Sequence, residues 1–383
     1  MRLTYLHIHN FKSIRSMEIR DIDRALIFVG KNNTGKTSIL DAVCAVCGCY
    51  EIQARDFNEN RQAIRIDACF SIEEEDLHLF HHMGIVSQYR RYDVWRRVFS
   101  ERLPSFKDGE LSFTLHVNQD GKVRYEDLYR KNNPYIHMVM PRIYRINAER
   151  ELNQLQNDLL MFQEDEELRR LRSGSCIFER AKKCNHCFQC IGLINQKKPE
   201  ELSAFETARL LEFKIYQLNL IGFSRKVNEN FFKNGGYEEI QYTLNFDADQ
   251  LFTVEVTAHN RQRGSVKPVE LMGKGMRSIY MLSLLETYIS EQGRIPSIIV
   301  VEDPEIFLHP QLQKSCSEIL YRLSKKNQVI FKTHSPDLLF NFSIRQIRQV
   351  VLDDERYSVV RLRTNMSEIL DDLGYGANDL LNV

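Results

Sequence analysis

Apolar and polar positions alternate through "LTYLHIHNF" (residues 3–11), the period-two pattern of a strand with one covered face. "ALIFVG" (25–30) is a short apolar run ending in glycine, which predicts a buried strand. The period then changes. "KTSILDAVCAVCGC" (36–49) places Leu40, Val43, Cys44 and Cys47 on one helix face, with Cys49 on the same predicted helix. Strands are predicted over 61–75 and 111–127, the second a hairpin turning at Asp120-Gly121. Between them, "YRRYDVWRRVF" (89–99) predicts a helix with Tyr92, Trp95 and Phe99 on one side. From Glu149 to Phe232 helical spacing dominates, interrupted by "RSGSC" and a cysteine cluster, which predicts two helical arms and a cysteine-rich tip. Gly235-Gly236 closes that region. Strands resume with "EEIQYTLNF" (238–246) and "LFTVEVTAH" (251–259). A helix (276–290), the strand "SIIVV", a helix (310–325) and the strand "QVIFKT" follow, and the tail "DDLGYGANDLLNV" is a weak helix.

Strand and helix alternating in this way predict an α/β fold, a mainly parallel sheet covered by helices, with an antiparallel β part near the start. The boundaries expected are 1–148 and 236–362 for two halves of one head, 149–235 for a helical insertion and 363–383 for a tail. Composition fits a soluble globular chain: 383 residues, 43% hydrophobic and 27% charged. No apolar run is long enough to span a bilayer, and the N-terminus lacks the apolar core of a signal peptide. A cytoplasmic protein without a membrane partner is expected. Lys plus Arg equals Asp plus Glu, 52 each, so overall charge calls for no polyanion.

Strand, then "GKNNTGKT" (Gly30–Thr37), then helix is the sequence of a phosphate-binding loop. Glycines let backbone N–H groups close on phosphate oxygens, and the following helix adds its positive end. Lys36 can reach the β- and γ-phosphates, and the Thr37 hydroxyl can ligate Mg²⁺. Such a loop needs an acid at the end of a neighbouring parallel strand. "IIVVEDPEIFLHP" (Ile298–Pro310) supplies Glu302 for the metal side and Asp303 as candidate base, with Glu305 after the proline. His334 follows the strand of "VIFKTHSPDLL", one α-β unit later, where it can reach a γ-phosphate. In "VELMGKGMRSIYMLSLL", Gly273, Lys274 and Gly275 open a helix and suggest a second anion-facing helix start.

These pieces occur in the order of the ABC-type P-loop ATPases. More narrowly, "LHIHNFKSI", "VEDPEIFLHP" and "THSPDLL" resemble the SMC/RecF-like branch and the OLD-type (overcoming lysogenization defect) ATPases. The resemblance covers roughly residues 1–75 and 240–350. It implies an ABC ATPase head split by the insertion, with two heads sandwiching ATP in a homodimer or higher homo-oligomer. Carried over by position, Gly30, Asn33, Gly35, Lys36, Thr37 and Ser38 bind phosphate and Mg²⁺. Glu302 acts at the metal, Asp303 as base and His334 as switch histidine, while Gly273, Lys274 and Gly275 meet the γ-phosphate of the opposite subunit. Gln53 and Asp56 are the nearby candidates for the family's Gln-bearing loop. Three departures stand out. Asp303 is one methylene shorter than the usual Glu. Met272 takes the place of the signature serine. No TOPRIM nuclease module follows the head before Val383, so nuclease activity is expected from a missing segment or a partner.

Nine cysteines in a cytosolic chain point to burial or metal rather than disulfides. Cys44, Cys47, Cys69 and Cys316 fit burial. Cys176, Cys184, Cys187 and Cys190 have metal-ligand spacing, for which zinc is the first expectation, an iron–sulfur cluster the second and unliganded thiols the third. Two function classes follow from the resemblance. One is an ATP-hydrolysing subunit acting on DNA or controlling a nuclease effector, in DNA repair or antiviral defence. "YRRYDVWRR" (Tyr89–Arg97) and "RAKK" (Arg180–Lys183) offer it basic contacts. The other is a slow or non-hydrolysing ATP-dependent sensor that regulates a partner protein.

Overall fold

The computed structural model describes residues 1–58, 62–147, 176–178, 184, 187–217, 221–234, 239, 256–260, 264–291, 297–362 and 365–374. Two compact units emerge: Met1–Leu155 with Val269–Val383, and Gln156–Pro268. The first opens with β1 (Arg2–Phe11), β2 (Ile14–Ile19), β3 (Ala25–Val29), α1 (Lys36–Val46), β4 (Ile64–Ser71), α2 (Glu74–Met83) and α3 (Tyr92–Arg102). It continues with β5 (Phe106–Lys107), β6 (Glu110–Val117), β7 (Val123–Glu126), α4 (Pro134–Val139) and β8 (Arg142–Ile146). The second unit holds α5 (Ile191–Ile194), α6 (Ala204–Gln217), α7 (Ile221–Lys233), β9 (Thr257–Asn260) and β10 (Ser265–Pro268). The chain returns to the first unit with α8 (Lys274–Glu291), β11 (Ser297–Glu302), α9 (Pro310–Lys326), β12 (Gln328–Lys332), β13 (Ile347–Leu352), β14 (Ser358–Arg361) and α10 (Met366–Asp372).

Two sheets build the first unit. One is antiparallel, in the order β2-β1-β4-β6-β5 with β7 on β6. The other runs β14-β13-β3-β12-β11-β8; all its pairs are parallel except β13 with β14. The hydrophobic pattern explains the difference. β3 and β11 are buried at every position, as strands covered on both faces must be. β1 instead buries Leu6, Ile8 and Phe11 and leaves Tyr5, His7 and His9 half-exposed. One continuous core joins Leu3, Leu6 and Ile8 to Phe28, Ile39, Leu40, Val43, Val300, Ile330 and Val350, so both sheets and α1 share it. Gln328 stitches the sheets together within that core. Its Nε2 donates to the Leu3 and Asp23 carbonyls at 2.8 Å each, and its Oε1 accepts from the Leu3 N–H at 2.9 Å.

Some elements differ from expectation. α1 stops at Val46 because the chain turns at Gly48 (φ 77°); Cys44 and Cys47 are buried, while Cys49 lies beyond the helix and is exposed. A helix, α10, precedes the predicted tail helix, whose residues 375–383 lie outside the described residues. Asn365 caps it, its side chain accepting the Ser367 N–H at 3.0 Å, and Gly374 (φ 87°) follows its end. The predicted strand over 238–246, the first helical arm and Arg180–Lys183 lie outside the described residues. Of the predicted 251–259 strand, residues 251–255 lie outside the described residues, and β9 covers its end and pairs antiparallel with β10.

Candidate nucleotide site

β3, β12 and β11 are adjacent and parallel, so their carboxyl ends reach one sheet edge, the place where such sheets bind ligands. Off β3 comes the loop from Gly30. Gly35 takes φ 94°, and a Cβ there would stand 2.1 Å from Ser358 Oγ; a Cβ on Gly30 would stand 2.3 Å from the Val350 carbonyl oxygen. Only glycine fits either place. Asn33 is also left-handed (φ 61°), a conformation that short polar side chains tolerate. The Thr34 hydroxyl donates to the Lys31 carbonyl at 2.9 Å and tightens the loop. Lys36 arches back over it, donating to the Gly30 and Lys31 carbonyls at 2.8 and 2.7 Å. Burial pushes the Lys36 ammonium down to about 8, Lys332 adds to this, and Asp303 and Glu305 oppose it. Thr37 is half-buried, and the Ser38 hydroxyl lies 3.4 Å from that of Ser13.

β11 delivers Glu302 and Asp303, 7% and 8% exposed. Buried carboxylates need partners, and here they come from distant segments. Arg145 on β8 donates Nε and Nη2 to Glu302 Oε1 at 3.0 and 2.6 Å. The same Nη2 lies 2.6 Å from Asp41 of α1, whose other oxygen takes Lys12 at 2.5 Å. Lys332, at the end of β12, sits 2.8 Å from Asp303 and 3.5 Å from Glu302. Asp303 itself has φ 44°, a strained backbone that costs about 1–3 kcal/mol. Its N–H donates to the Lys332 carbonyl at 3.1 Å.

Glu305 ties this acid loop to the switch loop. Its Oε1 accepts the His334 N–H at 2.6 Å. Burial pushes its carboxyl up, and the bond from His334 opposes that shift. On the other side the Ser335 hydroxyl donates to Gln313 of α9 at 2.6 Å, and Gln313 donates to the Leu308 carbonyl at 3.0 Å. Burial pushes the His334 imidazole down, the Lys36 charge pushes it further, and Asp303 opposes both. His334 therefore stands neutral near pH 7 in the same field as Lys36, Asp303 and Lys332.

The start of α8 meets the outer end of the acid loop. A Cβ on Gly275 would stand 2.5 Å from the Phe307 carbonyl oxygen, so glycine permits this approach. Lys274 Nζ lies 4.5 Å from the Phe307 ring centroid. Gly273 and Lys274 are exposed. Gln53 is exposed too, whereas Asp56 is buried and taken up by Tyr50 at 3.0 Å, the Gln53 N–H at 2.9 Å and Lys12 at 3.6 Å. Asp56 thus belongs to a structural network. Thr37, Glu302 and Asp303 carry oxygen donors, the chemistry that suits Mg²⁺. Sequence reasoning missed Arg145, Lys332 and Asp41. A basic residue at the carboxyl end of a buried strand was the available signal for the first two.

At the cysteine tip the sulfurs are not gathered into a metal-ligating group among the described residues: no three of Cys176, Cys184, Cys187 and Cys190 bring their sulfurs within 4.8 Å of one another. Cys190 is buried in a small apolar cluster with Ile191 and Ile194, against Phe188, Leu202 and Phe213. That burial pushes its thiol up. The basic run at 89–97 is partly spent internally. Arg91 pairs with Asp93, and the Arg96 guanidinium stacks 4.9 Å from the Phe106 ring.

Comparison with known proteins follows this geometry. The AAA ATPase domain matches residues 1–339. An OLD nuclease of Thermus scotoductus is 28% identical over 116 residues, 30% of this chain and 22% of that protein. The Old nuclease of Escherichia phage P2 is 29% identical over 143 residues, 33% of this chain and 23% of that protein. The chain thus spans less than a quarter of either relative. The Smc head domain of Pyrococcus furiosus, solved with an extended coiled coil and bound to the C-terminal domain of ScpA, matches 97% of this chain and 98% of its own. Its TM-score is 0.55 at 16% identity, a likeness of fold. Among the described residues no helix is long and apolar enough to cross a membrane. The chain belongs to the AAA ATPase domain family, with the fold of an SMC head and a distant similarity to OLD nucleases.

Proposed function

We propose that this chain binds and hydrolyses Mg-ATP at the edge formed by β3, β11 and β12, between two copies of itself, and uses that cycle to act on DNA or to control a nuclease effector. The observation that carries the reading is the shared field of Lys36, Asp303 and His334, brought together from three separate stretches of sequence. Bound Mg²⁺ would neutralise charge on the β- and γ-phosphates, held by the Thr37 hydroxyl and Glu302. The loop N–H groups cradle the phosphates, and Lys36 leaves its carbonyl partners to meet them. Asp303 orients and deprotonates the attacking water, and neutral His334 hydrogen-bonds the γ-phosphate. The exposed Gly273–Gly275 start of α8 is placed to meet the nucleotide of a second copy.

The pairing of Asp303 with Lys332 supports a resting state with its base engaged, hence slow, switched turnover. The nuclease part draws support from the names of the relatives, OLD nucleases, and DNA, in genome maintenance or antiviral defence, is the target that reading suggests. Steady-state hydrolysis with Mg²⁺, in wild type, Lys36→Ala and Asp303→Asn, with and without DNA, tests the proposal. Turnover lost in both variants and raised by DNA is expected. Binding without turnover in wild type would replace it with the nucleotide-sensor function.

A further inference from the structure

The outward face of the antiparallel sheet carries a second cluster of ligating groups, unrelated to the nucleotide site. His7 and His9 lie two apart on β1, so both rings stand on one face. Asp67 on β4 is the cross-strand partner of His7. One nitrogen from each ring and one Asp67 oxygen lie within 4.8 Å of one another. His7 Nδ1 stands 3.9 Å and His9 Nε2 4.0 Å from the same atom, Asp67 Oδ2. These separations are too long for hydrogen bonds. Ligands bound at about 2.1 Å in a tetrahedron sit about 3.4 Å apart, so closing the two nitrogen–oxygen gaps by roughly half an ångström, and the nitrogen–nitrogen gap by at most about 1.4 Å, accommodates an ion.

Neighbouring groups orient two of the three ligands, His7 and Asp67. The other ring nitrogen of His7, Nε2, lies 3.1 Å from the Ser16 hydroxyl. With its proton there, Nδ1 keeps a lone pair directed at Asp67. The other carboxylate oxygen, Oδ1, accepts from the Thr114 hydroxyl at 2.6 Å and from Arg65 Nε at 3.0 Å, which leaves Oδ2 facing the two imidazoles. Partners of this kind orient metal ligands and set their basicity. The three side chains are 21–29% exposed, open enough for an ion to enter.

We propose that His7, His9 and Asp67 bind one divalent first-row transition ion, with water or a partner's ligand in the remaining position. Two imidazoles and one carboxylate select Zn²⁺, Co²⁺ or Ni²⁺ over Mg²⁺ and Ca²⁺, which prefer all-oxygen sets. The site is thereby distinct from the nucleotide's metal in both place and chemistry.

Cobalt is the probe. The nucleotide-free full chain is titrated with Co²⁺ by calorimetry and visible absorption, beside His7→Ala, His9→Ala, Ser16→Ala and a variant with Cys176, Cys184, Cys187 and Cys190 all changed to Ser. One equivalent should disappear in each histidine variant and persist in the serine variant, without thiolate charge-transfer bands. Ser16→Ala should weaken binding by about 10–100-fold. Unchanged stoichiometry in the histidine variants, or cobalt binding lost only with the cysteines, overturns the site. Should the histidine variants misfold, wild type decides by proton resonance. Two paramagnetically shifted imidazole rings uphold the site, and their absence overturns it.

Discussion

The two halves of the nucleotide site are held in different ways. The phosphate loop is self-contained: Thr34 and Lys36 bond to carbonyls within residues 30–31, and the glycines satisfy the loop's own backbone demands. The acid half is assembled from outside itself. Glu302 and Asp303 rest on Arg145 from β8 and Lys332 from β12, and Arg145 also reaches Asp41 on α1. A loop that folds on local rules can keep its shape when its ligand leaves. An acid pair held by imported cations can change state when one of them moves.

The strongest way to break this comparison is Lys36→Ala. Charge-assisted hydrogen bonds contribute about 1.5–3 kcal/mol each, so nucleotide affinity should fall roughly 10–100-fold. With the transition-state contact also gone, kcat/KM should fall by about 10³-fold or more. Equilibrium binding of a fluorescent ATP analogue and steady-state hydrolysis measure the two parts. Asp303→Asn comes next. It should reduce kcat by about 10²–10⁴-fold while leaving nucleotide binding intact; equal turnover would remove Asp303 as base.

Arg145→Ala sharpens the contrast through stability. Removing one partner of a buried ion pair costs about 3–5 kcal/mol. Arg145 is partly exposed, and Lys12 and Lys332 remain beside its two carboxylates, so a loss of about 2 kcal/mol is expected. A shift of the urea midpoint reads it, and an unmoved midpoint would mean that the acid half does not depend on its imported cation.

The smallest effect is a proton. Lys36 titrates at about 8 in the folded chain against 10.5 ordinarily. Across that window the unfolded chain holds a proton the folded one lacks, so this residue adds stability as pH rises from about 8 to 10.5. Phosphate restores the charge. Nucleotide binding should therefore take up a fraction of a proton at about pH 9 and none through Lys36 at about pH 6.5. Calorimetry in buffers of different ionisation heat would show the difference, and equal uptake at both pH values would count against a depressed Lys36.

The same contrast explains what could be read from the sequence. The strand–loop–helix around Gly30–Ser38, the buried β11 and the alternating β1 are each set by neighbours within a few residues, so periodicity and glycine placement reveal them. Arg145 meets both Glu302 and Asp41 only because β8 lies beside β11 and α1 follows β3. Those relations depend on strand order, to which local spacing is blind. The cysteine tip shows the same limit of local spacing. Spacing permits chelation, but the packing of Cys190 against Ile191 and Phe188 decides where its sulfur goes. His7 and His9 hid inside the alternation of β1, and the pairing of β1 with β4 gave them Asp67.

Lys332, first met as a partner of Asp303, has a consequence for selectivity among anions. With Lys36 and Arg145 it sets three cations against the four carboxylates of Asp41, Glu302, Asp303 and Glu305, close to electrical balance. A site so compensated offers a free phosphate little net attraction, since Arg145 and Lys332 would have to abandon a carboxylate to meet it. A guest that brings its own counter-charge avoids that conflict. It can take the ammonium groups while its cation takes the acids, an exchange of partners in which no ion is left alone. The site would therefore discriminate against lone anions before any contact with base or sugar is made.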